Sequence, residues 1–510
     1  MTNNEDSQNS TEEALIKNLL FSASDNATAL LMPDATTLTY AQMREEVFRL
    51  SDQLRLLGIG APDRVGIILP NGPHMAITFL AVAITACAAP LNPKYRAAEI
   101  EFYLDDLNAS ALITEPGDNS NLPNLDGSIT HLTLDGSPGG LTLAAKATTK
   151  SNSKSQPSED DAALILHTSG TTSRPKLVPL KQRQLVQSAN NIADSLALTN
   201  ADRSLNVMPL FHIHGLLAGL LAPLAAGGSV VATEGFDAFK FFTQLDSFLP
   251  TYYTAVPTMH QMVIARSSSY RKNASSSSLR FVRSSSASLP TPVLSELSEL
   301  FEVPVIEAYG MTEAAHQMCS NPLPPRESKP GSVGLPTGID LCILSEDEDQ
   351  MNSYERGEVA IKGPSVIDGY ENNEQANCES FASGWFRTGD EGYIDSDGYV
   401  FLTGRLKEQI NRGGEKISPL EVDSILLKHE QVTQAVTFAI PHTKLGEDVA
   451  AAVVLSPNSS LSERDLRDHV AEHLAAFKVP KQILFLDELP KGPTGKLQRI
   501  GLASRLGLES

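Results

Sequence analysis

The chain predicts an α/β protein with a large N-terminal part of mostly parallel sheets, a compact β portion and a small α+β C-terminal unit. Three observations carry this reading. From about residue 30 to 308, short apolar runs alternate with helical patterns. Around residue 355 the pattern changes to short alternating strands, and over residues 408–510 strand and helix signals mix again.

In order, residues 1–14 are polar and acidic, unlike a signal or transit peptide, and read as a disordered tail. Residues 64–69 read as a strand, Asn71-Gly72-Pro73 as a turn and 75–88 as a buried helix. Further strands are expected at 164–167, 205–208, 229–233, 252–256, 279–283 and 303–308, with helices at 182–196 and 291–300. Polar residues 146–160 form a linker, and the Ser-rich run 267–278 an exposed loop. Residues 74–91 and 211–232 are apolar enough to be weighed as membrane spans. His74 and Pro90 bound the first, and two His, Pro223 and four Gly interrupt the second, so both read as buried core. The β portion, at 357–362, 392–394 and 399–402, ends at Gly404-Arg405-Leu406-Lys407. Beyond it come a helix at 419–429, strands at 436–440 and 449–455, and a helix at 462–475. Asp395-Ser396-Asp397-Gly398 lacks the remaining spacing of a calcium loop and reads as a hairpin turn.

At 510 residues the chain is long enough for several structural units, at roughly 150 residues each. A net charge of −21 argues against nucleic acid or an anionic membrane as the main partner. Its four cysteines, Cys87, Cys319, Cys342 and Cys378, follow no metal or redox spacing and fit a reducing compartment. The end, Leu-Glu-Ser, is not the Ser-Lys-Leu peroxisomal address, so a cytoplasmic location is expected.

The chemistry concentrates at residues 164–180. An apolar run there empties into Thr168, Ser169, Gly170, Thr171, Thr172 and Ser173, with Arg174 and Lys176 at the far end. Small residues let backbone N–H groups close around phosphate, hydroxyls donate, and the cations offset charge. Pro175 holds the place where the common NTPase phosphate loop needs Gly. A hydroxyl run alone also reads as a solvated turn.

With Tyr309-Gly310-Met311-Thr312-Glu313, Gly384 to Asp390, Gly404 to Lys407 and Pro493-Thr494-Gly495-Lys496 in the same order, the chain resembles the adenylate-forming superfamily of acyl-CoA synthetases, luciferases and peptide-synthetase adenylation domains. Local similarity is closest to the oxalate-activating CoA ligases of plants and fungi, through Ser173, Pro209 to Leu217, Tyr253 to Gln261, Arg283 to Leu289 and Glu307 to Pro322. The resemblance implies stacked mixed α/β sheets plus a β subdomain over 15–404, a hinge at 405–407 with Lys407 at its pivot, and a small mobile domain over 408–510. It also implies ATP and Mg2+ as cofactors, with coenzyme A as co-substrate.

Carried over residue by residue, the resemblance places Thr168 to Thr172 and Lys176 on the phosphates, with Thr171 among the catalytic groups. Thr312 would donate to the α-phosphate, Glu313 hold the metal, and Tyr309 stack on adenine beside Ser286, Ala287, Glu307 and Ala308. Asp390 and Arg405 would hold the ribose, and Lys496 would bridge acyl carboxylate and phosphate in the first step. Arg412, Gly413, Gly414 and Glu415 would line the thiol tunnel, and His212 would act as a gate on the phosphate loop. Taken alone, Glu313 would suit a first helical turn, Asp390 a turn after Gly389, and Gly413-Gly414 a tight turn.

His214, Ser286, His316 and Arg283 fall where the resemblance puts the acyl pocket; Arg283 also reads as the close of a strand. A buried second carboxylate needs hydrogen bonds or cations, so these residues favour a small dicarboxylate, with oxalate first. His212 and His214, at i and i+2 without Cys or acidic neighbours, are a poor metal pair. Ser173 and Leu177 stand where the superfamily usually has Gly, which bears on loop mobility. The competing readings are a medium-chain or aryl acid–CoA ligase, a carrier-loading adenylation protein, and a nucleotide-binding module without catalysis.

Overall fold

Two large sheets carry the N-terminal part of the computed structural model, which describes residues 14–117, 122–125, 127–145, 155–168, 175–267, 278–457, 459–490, 497 and 499–508. The nine-stranded sheet runs Leu335–Pro336, His316–Ser320, Val305–Met311, Phe281–Ser285, Tyr252–Ala255, Arg203–Asn206, Ser229–Ala232, Thr28–Leu31, Thr37–Thr39. Its inner strands, from Val305–Met311 to Thr28–Leu31, pair in parallel, and both ends close antiparallel. The seven-stranded sheet runs Thr142–Ala145, Thr130–Asp135, Ala111–Thr114, Arg64–Ile68, Cys87–Pro90, Ala162–Thr168, Lys176–Lys181, again parallel inside and antiparallel at its ends. Strands buried on both faces read as continuous apolar runs, which is what made them visible in the sequence.

One core joins the two sheets through the helices between them, bringing together Val65, Ile67 and Leu164 of one sheet with Val230, Tyr252 and Phe281 of the other. Helix Pro73–Ala83 is buried from Met75 to Ala83. The expected helix over 75–88 is therefore too long: Cys87–Pro90 is a fully buried strand. Its register with Arg64–Ile68 and the Cys87 N–H to Asp63 carbonyl bond of 2.8 Å claim that backbone for the sheet. An unbroken apolar run does not distinguish the two states.

Residues 211–232 likewise form core: helix Ile213–Leu216, a π turn Leu217–Leu221, helix Ala222–Ala225 and strand Ser229–Ala232. Gly219 is required here, since a Cβ would stand 2.4 Å from Asn206 Oδ1. Among the described residues no helix is long and apolar enough to cross a membrane.

The β portion is an antiparallel sheet of Asp340–Leu344, Gly357–Lys362, Trp385–Ile394, Phe381–Ala382 and Val400–Arg405. The Trp385 to Asp390 motif, not expected as a strand, lies in its longest member. Asp395 to Gly398 is a turn, and the Lys329 ammonium sits on both carboxylates at 2.5 and 2.6 Å, where a calcium loop would hold its ion.

The fourth sheet uses only residues after the Leu406–Glu408 turn: Glu415–Ile417, Ile410–Arg412, Gly446–Leu455, Val432–His442 and Gln482–Phe485. With helices Pro419–Leu426 and Glu463–His473 it encloses its own core around Ile410, Val422, Leu426, Val449 and Leu466. Polar contacts tie it to the rest, among them Lys416 to Glu346 at 3.0 Å and Gln261 Nε2 to the Thr433 carbonyl at 3.1 Å. The expected tail 1–13, linker residues 146–154 and loop residues 268–277 lie outside the described residues.

Candidate active site

Parallel strands deliver their C-terminal ends to one edge, where ligands of open α/β sheets bind. Thr168 ends strand Ala162–Thr168 and is paired in register with Lys176, which begins the next strand. Ser169, Gly170, Thr171, Thr172, Ser173 and Arg174 between them lie outside the described residues, as does Lys496. Leu177 is 4% exposed and belongs to the apolar cluster of Cys87, Leu104 and Ile165, so its side chain anchors the strand after the loop.

Strand Val305–Met311 runs into a turn of 3₁₀ helix, Thr312–Ala314, which buries Glu313. Burial pushes the Glu313 carboxyl above the usual range, and Tyr370 and Lys176 act in the opposite direction. The Tyr370 phenol donates to Glu313 Oε1 at 2.8 Å, and the Lys176 ammonium lies 4.2 Å from the centre of the Tyr370 ring. Burial also lowers the Lys176 ammonium; Glu313 raises it and Lys407 lowers it further. Lys407 itself is exposed in the Leu406–Glu408 turn.

Tyr309 and Asp390 come from different sheets and meet: the phenol donates to Asp390 Oδ2, while Arg405 Nε donates to Oδ1 at 2.9 Å. Burial and the Asp390 charge both push the Tyr309 phenol up. Glu307 is buried, Oε1 accepting from the Leu289 N–H at 3.2 Å, and burial raises its carboxyl to about 7. The Ala308 carbonyl accepts from Ser285 Oγ at 2.9 Å, and Ala287 is exposed on the turn after that strand. His212 precedes helix Ile213–Leu216, its ring 4.5 Å from that of Phe211.

The expected acyl residues converge around one buried cation. His214 Nδ1 lies 3.0 Å from Ser286 Oγ, its Nε2 2.6 Å from Thr254 Oγ1, and its ring stacks on His316 at 4.8 Å. Ser286, Ala315 and His316 carry φ of 74°, 50° and 92°, a backbone region that costs non-glycine residues energy and clusters at functional sites. Arg283 lies at the centre of this cluster. It is 0% exposed, and its Nη1 donates to Thr254 at 3.0 Å and its Nη2 to Gln317 at 2.9 Å. No carboxylate among the described residues pairs with it, and burial drops it to about 10.

Arg412 Nε donates to Asp448 at 2.6 Å, and Gly413 and Gly414, at φ 62° and 98°, form a two-residue hairpin turn before Glu415. Tyr370, Thr254 and Gln317 were not singled out from sequence; the polar Thr254 within the fully buried strand Tyr252–Ala255 was a usable signal. Among the described residues, the His, Cys and acidic side chains that gather in a group of three are His469, Glu472 and His473 on helix Glu463–His473, so His212 and His214 form no such group.

With this geometry in place, the comparisons agree on the class. Residues 22–371 match the AMP-binding enzyme family and residues 421–496 the AMP-binding enzyme C-terminal domain. The chain belongs to the AMP-binding enzyme family. It is 44% identical to the oxalate–CoA ligase of Arabidopsis thaliana over 92% of this chain and 94% of that protein. It is 38% identical to the oxalate–CoA ligase of Saccharomyces cerevisiae over 96% of each. The crystal structure of ATP-bound MatB from Rhodopseudomonas palustris superposes with a TM-score of 0.85 at 26% identity, covering 97% of this chain and 99% of that one.

Proposed function

We propose that the protein is an ATP-dependent acid–CoA ligase whose acid is oxalate. In the first half-reaction a carboxylate oxygen attacks the α-phosphorus of ATP and pyrophosphate leaves, giving an acyl-adenylate. In the second the CoA thiolate attacks the acyl carbon, forming the thioester and releasing AMP.

One observation carries the choice of acid: His214, Ser286 and His316 cluster against the buried Arg283 guanidinium, a polar and positively charged setting for the acid. An apolar or aryl acid would gain nothing from a guanidinium charge at this position. The second carboxylate of oxalate would.

Thr168 to Thr172 and Lys176 hold the phosphates, Thr312 donates to the α-phosphate, and Asp390 with Arg405 holds the ribose near Tyr309. Ser286, Ala287, Glu307 and Ala308 complete the nucleotide wall, and His212 closes over the phosphate loop. Glu313 suits Mg2+, which takes oxygen ligands and is bound through one or two carboxylates plus substrate phosphates. Its buried carboxyl accepts from Tyr370 at Oε1 and would gain a counter-charge from a cation there. The ion would offset charge between two anions as they approach.

Residues 15–404 and 408–510 act as separate lobes about 405–407, after the 1–14 tail. Lys407 turns the small lobe, so that Lys496 serves the first half-reaction and Arg412 to Glu415 face the thiol in the second. Four free cysteines fit a cytosolic setting.

The test is oxalyl-CoA formation and oxalate-dependent ATP–pyrophosphate exchange by the intact chain and Lys496→Ala. Lys496→Ala is expected to abolish exchange while retaining thioester formation from supplied oxalyl-adenylate. No AMP release with oxalate would end this reading.

A further inference from the structure

Arg283 Nη1 lies 3.3 Å from His214 Nε2, and Nη2 lies 3.3 Å from His316 Nε2. A guanidinium has only N–H donors, so each facing imidazole nitrogen must accept. Thr254 Oγ1 sits between the first pair, accepting from Nη1 at 3.0 Å and reaching His214 Nε2 at 2.6 Å with its own hydrogen. Both histidines therefore carry their hydrogen on Nδ1 and stay neutral, because a second cation against buried Arg283 is strongly disfavoured. His214 spends its Nδ1–H on Ser286 Oγ at 3.0 Å, which releases the serine hydroxyl hydrogen for another acceptor. The fourth contact, Gln317 Oε1, is neutral and is itself fixed, its Nε2 donating to Ser195 at 2.9 Å and Thr337 at 3.2 Å. Among the described residues, no carboxylate in this shell cancels the guanidinium charge.

We propose that Arg283 is a positioning residue for the acid: it locks His214 and His316 as Nδ1–H tautomers and supplies, from behind them, the uncompensated positive charge that selects an acid bearing a second anionic group. The assignment rests on the acid–CoA ligase reading and adds to it the source of selectivity. The wall offers neutral donors at short range while the full charge stays one layer back. Any small monoanionic acid of the same shape satisfies the wall but not the charge.

The test compares oxalate with oxamate, its near-isosteric monoanion, in AMP release by the wild type, Arg283→Met and Gln317→Glu. Arg283→Met is expected to lower the oxalate/oxamate ratio of kcat/KM by about 30-fold, chiefly through KM for oxalate, with KM for ATP nearly unchanged. Gln317→Glu keeps the guanidinium and its geometry but adds a neutralising carboxylate, so it should lower the same ratio even if Arg283→Met fails to fold. Ring 15N spectra of histidine-labelled wild type should show His214 and His316, assigned through their alanine variants, protonated on Nδ1. An unchanged ratio in a folded variant, or Nε2–H signals for either ring, overturns the role of Arg283. Absence of AMP release with every acid overturns instead the ligase reading, while the 15N spectra still decide the tautomers.

Discussion

Tyr370 donates its phenolic hydrogen to Glu313 across a 2.8 Å bond, and the same ring carries the Lys176 ammonium 4.2 Å from its centre. The tyrosine thus touches both a buried carboxyl and a half-buried ammonium, the two opposite charges that also act on each other's titration.

Tyr370→Phe removes the strongest group holding Glu313 down against burial. The carboxyl then rises further, so more of it is protonated at a given pH and the acid limb of activity moves to higher pH. The displacement is read as an upward shift of the acid limb of kcat/KM for ATP at limiting Mg2+, and an unmoved limb would contradict the role of the Tyr370 hydrogen bond.

Glu307 has a native carboxyl near 7 against an ordinary value of 4.5. The folded state binds its proton more tightly than the unfolded one, so this group supports the fold fully below pH 4.5 and loses that support as pH rises through 7. Glu307→Gln is expected to be more stable than wild type at pH 8 by about 2–3 kcal/mol, the gap closing toward pH 5. Urea unfolding at the two pH values measures it; a gap independent of pH contradicts the assignment.

Arg499 donates to the buried Asp423 carboxylate and lies 3.5 Å from Glu408, beside the turn that joins the two parts of the chain. Asp423 also accepts from the Thr437 N–H at 2.6 Å. Arg499→Met strands a buried charge and should destabilise the C-terminal unit by about 3–5 kcal/mol, with Asp423→Asn in the same chain restoring much of the loss. Amide exchange confined to residues 410–485 would register the effect.

At Gly310 a Cβ would stand 1.9 Å from the His316 carbonyl, at the register shift between strands Val305–Met311 and His316–Ser320. Gly310→Ala must push His316 off its position against Arg283. Expected are a loss of about 2 kcal/mol in stability and a raised KM for the acid. A variant with normal acid kinetics would show that the pocket does not depend on this backbone approach.

The alternating apolar runs made the parallel sheets legible, because strands buried on both faces keep one character along their length. The same uniformity hid Cys87–Pro90, which no periodicity separates from the helix before it. Motif residues such as Tyr309, Glu313 and Asp390 were readable one by one. Their partners were not: Tyr370 reaches Glu313 from 57 residues away, and Gln317 meets Arg283 from 34. Arg283 shows the limit most clearly, since a charged residue at a strand end reads as exposed or ligand-facing until its neighbours on three other segments enclose it.

Arg405 ends strand Val400–Arg405, grips Asp390 through Nε, and is followed at once by the turn carrying Lys407. On the proposed reading, one side chain would therefore be both a clasp on the sugar cradle and the last fixed point before the swivel. Torque from a rotating small lobe would reach the Asp390 carboxylate through a single guanidinium, and a ribose seated there would stiffen the pivot in return. On that reading, changing lobes and changing nucleotides would be mechanically geared to one another.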